Sequence, residues 1–77
     1  MPQPFPQREL AALPDEIETL EREQAQLTAS MGAPDYHRLG GEQVRADRRR
    51  LEELEALLLQ KFARWEWLEE QRARLAL

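Results

Sequence analysis

From Gln7 onward the apolar residues of this chain return in alternating steps of three and four: Leu10, Leu13, Ile17, Leu20, Leu27 and Met31, with Gln24 holding the remaining place in the series. That spacing draws one apolar stripe along a helix and sets it up to face a second helix. The second stripe follows as Val44, Asp47, Leu51, Leu54, Leu58, Lys61, Trp65, Leu68, Arg72 and Leu75, in a stretch from Glu42 to the end that has neither glycine nor proline. It predicts a helix over about 42–75, roughly 50 Å long at 1.5 Å per residue. Pro14 interrupts the first stripe. A proline supplies no backbone N–H and pushes its predecessor out of the helical region, which predicts a short helix over about 7–13 and a second over 15–31. Asp15, Glu16 and Glu18 place negative charge at the start of that second helix, where the helix dipole favours it. Gly32 then reads as a left-handed C-cap, with Pro34 blocking continuation.

Residues 32–41 hold all three glycines of the chain and the island Asp35-Tyr36-His37-Arg38-Leu39, in which Asp35 is suited to cap a single helical turn. The first six residues carry three prolines and read as an extended linker arm. A connection of this length between two stripes predicts that the helices fold back on each other. The expected architecture is all-α: an antiparallel two-helix coiled-coil hairpin with a short preceding helix, forming one domain over 7–77 behind the arm 1–6. One antiparallel register sets Leu27 opposite Leu51, Leu20 opposite Leu58, Leu13 opposite Trp65 and Leu10 opposite Leu68; Ile17 and Leu54 complete the expected core. The same register places Gln24 against Leu54, Ile17 against Lys61, Met31 against Asp47 and Glu16 near Arg64, so the Lys61 ammonium has to lead outward. Gln24 reads as a register-setting polar residue. Because the two stripes satisfy each other inside one chain, the expected state is a monomer.

Composition narrows what such a hairpin can do. Seventy-seven residues leave room for one domain. No cysteine means no disulfide framework and no thiolate zinc site, and the single histidine, His37, has no second histidine to share a metal. No run approaches the roughly 18 apolar residues of a membrane span, and the start lacks the charged-then-apolar pattern of a signal peptide. There is no glycine-rich phosphate loop and no nucleophile motif. The chain therefore reads as a cytoplasmic binding or spacing module with no catalytic residues, metal or cofactor of its own.

Charge changes the picture further, because it is unevenly spread. Fifteen acidic residues outnumber eleven basic ones overall, yet Arg38, Arg45, Arg48, Arg49 and Arg50 crowd the connection and the start of the second helix. Arg45, Arg48 and Arg49 stand at i, i+3 and i+4, on one helical face. Guanidinium forks fit phosphate oxygens, so Arg38, Arg45, Arg48 and Arg49 are the candidates for contact with a nucleic-acid backbone. The acidic total makes any such binding weak and salt-sensitive. A plainer reading stands beside it: Glu52 and Glu53 stand four residues after Arg48 and Arg49, where the face can be stitched by weak internal pairs. Tyr36 and His37 either stack on bases or fold back to plug the end of the hairpin. Trp65 belongs to the core. Trp67, two positions on, points elsewhere; it either packs under Phe5 or Phe62 or offers a stacking or partner surface.

Three segments carry a resemblance to a known family. The run Gln7-Arg8-Glu9-Leu10-Ala11-Ala12-Leu13-Pro14-Asp15-Glu16-Ile17-Glu18, the Asp35-Tyr36 pair and Arg64-Trp65-Glu66-Trp67-Leu68-Glu69 resemble the C-terminal coiled-coil domain of Uup-type ABC-F ATPases, over nearly the whole chain. The resemblance implies a domain that follows two ATP-binding cassettes in a cytoplasmic protein associated with DNA or the translation machinery. ATP and magnesium would belong to those cassettes and not to this hairpin. It also implies DNA, or structured RNA, as the partner of the hairpin, with its own cassettes or the ribosome as the alternative. The arm here carries Phe5 and no lysine, the only lysine being Lys61, so the resemblance transfers no nucleic-acid contact to the arm.

Overall fold

The computed structural model describes residues 4–76. Two long helices, α1 (Gln7–Met31) and α2 (Gly41–Ala76), run antiparallel and pack along their lengths, joined through a single 3-10 turn over Tyr36–Leu39. The hairpin is a rod of 57 × 21 × 15 Å. The direction is visible in its cross-links. Glu9 receives Arg64, Glu16 receives Lys61 and Glu23 receives Arg50, so advancing along α1 means retreating along α2.

The core lies on the two stripes. Leu10, Leu13, Ile17, Leu54, Leu58 and Leu68 are buried, with Leu54 and Leu68 fully enclosed. Leu20, Leu27, Leu51 and Trp65 are half-buried, because two helices alone cover a seam from one side only. At the open end Leu10, Leu13 and Leu68 form one cluster, and Phe5 and Trp65 pack against it. Enclosing a leucine of this kind is worth about 1.5–3 kcal/mol.

Pro14 does not break the first helix: α1 passes through it from Gln7 to Met31, so the expected short preceding helix is its first two turns. An interior proline costs roughly 3 kcal/mol, through the lost hydrogen bond and the clash with the carbonyl four residues back. Here Pro14 is exposed, while Leu10, Leu13 and Ile17 on either side of it are all buried along the same interface. Helix α2 acts as a splint, and packing outweighs the local penalty.

Both ends of α1 differ from expectation. The arm is not a free extended linker over residues 4–6. Pro6 has φ −79° and ψ 70°, and the Gln7 amide donates to the Phe5 carbonyl at 2.8 Å, which is an inverse γ-turn. That turn folds Phe5 back onto the core; residues 1–3 of the expected arm lie outside the described residues. Gly32 is not a left-handed cap, since its φ is −87°. The left-handed residue is Gly40, with φ 93°, immediately before α2. A side chain at Gly40 would be strained, so this glycine sets how α2 leaves the bend.

Candidate nucleic-acid interface

Tyr36 organises the bend. Its side chain is only 4% exposed, and its hydroxyl donates to Asp47 Oδ2 at 2.8 Å. Gln43 Nε2 donates to the other oxygen of the same carboxylate, also at 2.8 Å. Burial, followed by the bond to Asp47 and its negative charge, pushes the Tyr36 hydroxyl above its ordinary pKa, with Arg48 opposing. The ring is thus a plug and not a stacking surface, which corrects one of the two readings of this residue. His37 lies edge-on to Tyr36, with centroids 6.0 Å apart, and is itself exposed. Asp47 was legible only as a polar intruder in an apolar stripe; its role as the acceptor for Tyr36 and Gln43 required the fold.

The arginines beyond this plug divide into two kinds. Arg50 is committed to the hairpin: its Nε and Nη2 donate to the two oxygens of Glu23 at 2.6 and 2.8 Å, and its Nη1 donates to Glu53 at 3.0 Å. These bonds lower the Glu23 pKa and raise that of Arg50. Arg45, Arg48 and Arg49 are different. They are exposed, and among the described residues they have no acidic partner within 4.0 Å. The internal pairs that spacing allows, Arg48 with Glu52 and Arg49 with Glu53, are not formed; Glu53 is held by Arg50 instead. Among the described residues the one other lysine or arginine without an acidic partner within 4.0 Å is Arg8, in the first turn of α1. Arg45 and Arg49 line an open polar concavity with Glu42, Gln43 and Ala46. The Arg45 guanidinium lies over Gly41, where an added Cβ would come 2.9 Å from Nη1. Arg38 sits on the 3-10 turn, highly exposed, with Asp35 at 3.9 Å.

The opposite end is built otherwise. Arg64 donates Nε and Nη2 to Glu9 at 2.6 and 2.9 Å, and not to Glu16 as the register arithmetic expects. The bond to Arg64 holds the Glu9 carboxyl below its usual range. Glu9, Glu16 and Glu23 recur every seven residues, as do Arg50, Leu57 and Arg64. The middle rung thus meets a leucine, and Glu16 reaches Lys61 at 3.3 Å. This heptad ladder was present in the sequence and marks the flank of the seam. Arg64 also lies over the Trp67 ring, 5.1 Å from its centroid. Trp67 remains 50% exposed in a groove with Pro4, Phe5, Pro6 and Leu75. The predicted site therefore does not converge: Arg38, Arg45, Arg48 and Arg49 gather at the bend, and Trp67 stands at the other end of the rod.

No group of histidine, cysteine or carboxylate side chains among the described residues is placed to hold a metal ion. No helix of the described residues is long and apolar enough to cross a membrane. The sequence that folds into this hairpin matches a family model, the ABC transporter C-terminal domain, over residues 6–70. The chain belongs to that family. The match begins at Pro6, at the turn that folds the arm back, and takes in all of α1, the bend and α2 as far as Glu70. Comparisons with curated proteins and with solved structures gave no match.

Proposed function

We propose that this ABC transporter C-terminal domain is a non-catalytic nucleic-acid-binding hairpin of a cytoplasmic, ABC-F type ATP-binding protein, with DNA as its partner. The observation that carries the reading is the exposure of Arg45, Arg48 and Arg49 on the first turns of α2 without acidic partners. Three guanidinium groups on one face of a helix fit phosphate oxygens and read no base sequence. Arg38 on the adjoining turn extends the same end of the rod. ATP and magnesium belong to the cassettes of the parent protein and have no role in this contact.

The test is titration of labelled duplex DNA at low and high salt. Binding should weaken steeply with salt, since each neutralised phosphate releases a counterion. Replacing Arg45, Arg48 and Arg49 together by alanine should abolish most of it. Binding that ignores salt, or survives the triple substitution, refutes the assignment.

A second reading rests on Trp67. An indole half exposed beside Phe5 and Leu75 is the kind of residue that anchors a protein interface, here with the ATP-binding cassettes or a ribosomal component. Capture by the cassettes that survives the arginine substitutions and fails on Trp67→Ala would favour it.

A further inference from the structure

The outer face of α2, midway between the two ends, has an apolar pair that the hairpin covers incompletely. Leu59 is 74% exposed and Phe62 is 36% exposed, and they stand three residues apart on one side of the helix. Ala56 and Ala63 flank them and are exposed too, so the ground around the pair is low. Glu52, Glu55 and Glu66 lie seven before, four before and seven after Leu59. At 100° per residue they fall within about 40° of it around the helix. All three are exposed, and among the described residues none has a cation within 4.0 Å. By contrast Glu9, Glu16, Glu23, Glu53, Glu69 and Glu70 are each held by a basic side chain. Here an apolar ridge is bracketed at both ends by uncompensated negative charge.

We propose that this face docks a basic amphipathic helix of a partner protein, with apolar residues seated on Leu59 and Phe62 and lysines or arginines reaching Glu52 and Glu55 on one side and Glu66 on the other. Charge decides between the possible occupants. A second copy of the chain is disfavoured in either direction. Antiparallel about Leu59, Glu52 would face Glu66; parallel and in register, each glutamate would meet itself. A nucleic acid is repelled by all three carboxylates. A helix presenting apolar residues three and four apart, with cations one to two turns away on each side, satisfies both the ridge and the charges. The surface goes beyond the phosphate contact proposed at the bend and adjoins it: Arg48 lies about 16 Å from Leu59 along the axis and about 6 Å from Glu52, the near end of the docking face.

The experiment uses the isotopically labelled 77-residue chain and two synthetic peptides. One is a leucine–lysine amphipathic helix with leucines at i, i+3, i+4 and i+7; the other has the same composition scrambled. The amphipathic peptide should shift amides over residues 52–66 and leave the bend and the Trp67 groove unmoved, while the scrambled peptide binds at least about tenfold more weakly. Leu59→Ser, at an exposed position that leaves helicity intact by circular dichroism, should weaken binding by about tenfold. Glu55→Lys with Glu66→Lys should weaken it comparably and flatten its salt dependence. Alanine at Arg45, Arg48 and Arg49 should not weaken it, whereas it should abolish most DNA binding, so this surface and the bend stand or fall separately. Equal binding by the scrambled peptide, shifts centred on Trp67, or full binding by Leu59→Ser would overturn the proposal. So would concentration-dependent dimerisation of the chain that Leu59→Ser abolishes.

Discussion

At the open end of the hairpin three arginines of α2 are paired and Trp67 shows; at the bend Tyr36 is hidden and three arginines of α2 are unpaired. Arg64, Arg72 and Arg74 each hold a glutamate, and Trp67 stays half exposed beside them. Around the bend Tyr36 is buried against Asp47, while Arg45, Arg48 and Arg49 face solvent unpaired. The difference follows from what closes each end. The open end is closed by side chains reaching across from two separate helices, and Glu9 and Arg64 are drawn into that work, while Arg72 and Arg74 pair with glutamates of their own helix. The bend is closed by covalent connection and one tyrosine, which leaves the charges on α2 free to meet something else.

The largest effect should come from taking away the apolar support of the open end. Leu68→Ala removes a fully buried side chain from the cluster with Leu10 and Leu13, and should cost about 2–5 kcal/mol in urea unfolding. If the two ends melt independently, amide exchange at Tyr36–Val44 will be unchanged in this variant. If the rod is one cooperative unit, protection falls at both ends together.

A smaller effect of opposite sign is expected at Pro14. With α1 already continuous through it, Pro14→Ala restores a helical hydrogen bond at an exposed site and should raise stability by about 1–3 kcal/mol, read as a higher thermal midpoint. An unchanged or lower midpoint would mean that the proline supplies a bend that the open end requires.

The mildest probe is pH, which addresses the two kinds of closure from opposite directions. Tyr36 has its pKa raised in the fold, so its contribution is complete below pH 10.0, the ordinary value, and is lost as pH rises through the folded value. The chain has one tyrosine, so ultraviolet titration reads the bend alone; ionisation at the ordinary value would mean the plug is open in solution. Glu9 and Glu23 are depressed, so their contribution is present above the ordinary value of 4.5 and is lost as pH falls through the lower folded values. Glu9→Gln should flatten the acid limb of the stability curve and leave the alkaline limb in place. Because these pairs are solvent-exposed, the change in midpoint should be small.

Much of the molecule was readable in advance because a heptad stripe is a geometric statement. Leu10, Leu13, Ile17, Leu54, Leu58 and Leu68 had to share a face, and a glycine-rich connection between two such faces turns the second back on the first. The arginine cluster was readable for the same reason, since i, i+3 and i+4 lie together on any helix. The Glu9, Glu16 and Glu23 ladder was also written at seven-residue spacing, but which cation each glutamate takes depends on the offset between helices, and Arg64 takes Glu9, seven residues before the Glu16 expected for it. Pro14 was misjudged on local grounds that are sound in an isolated peptide.

Composition and periodicity by themselves determined two amphipathic helices, their reversal near residues 32–40 and a basic patch at the start of the second. Those are properties of residues near one another along the chain, where backbone geometry alone sets the outcome. Only the tertiary structure decided that α1 survives its proline, that Tyr36 is a plug held by Asp47, and that Arg50 takes both Glu23 and Glu53 while Arg48 and Arg49 remain unpaired. Each of these is a competition between a local partner and one brought from more than ten residues away, and such a competition has no outcome until the helices are in contact.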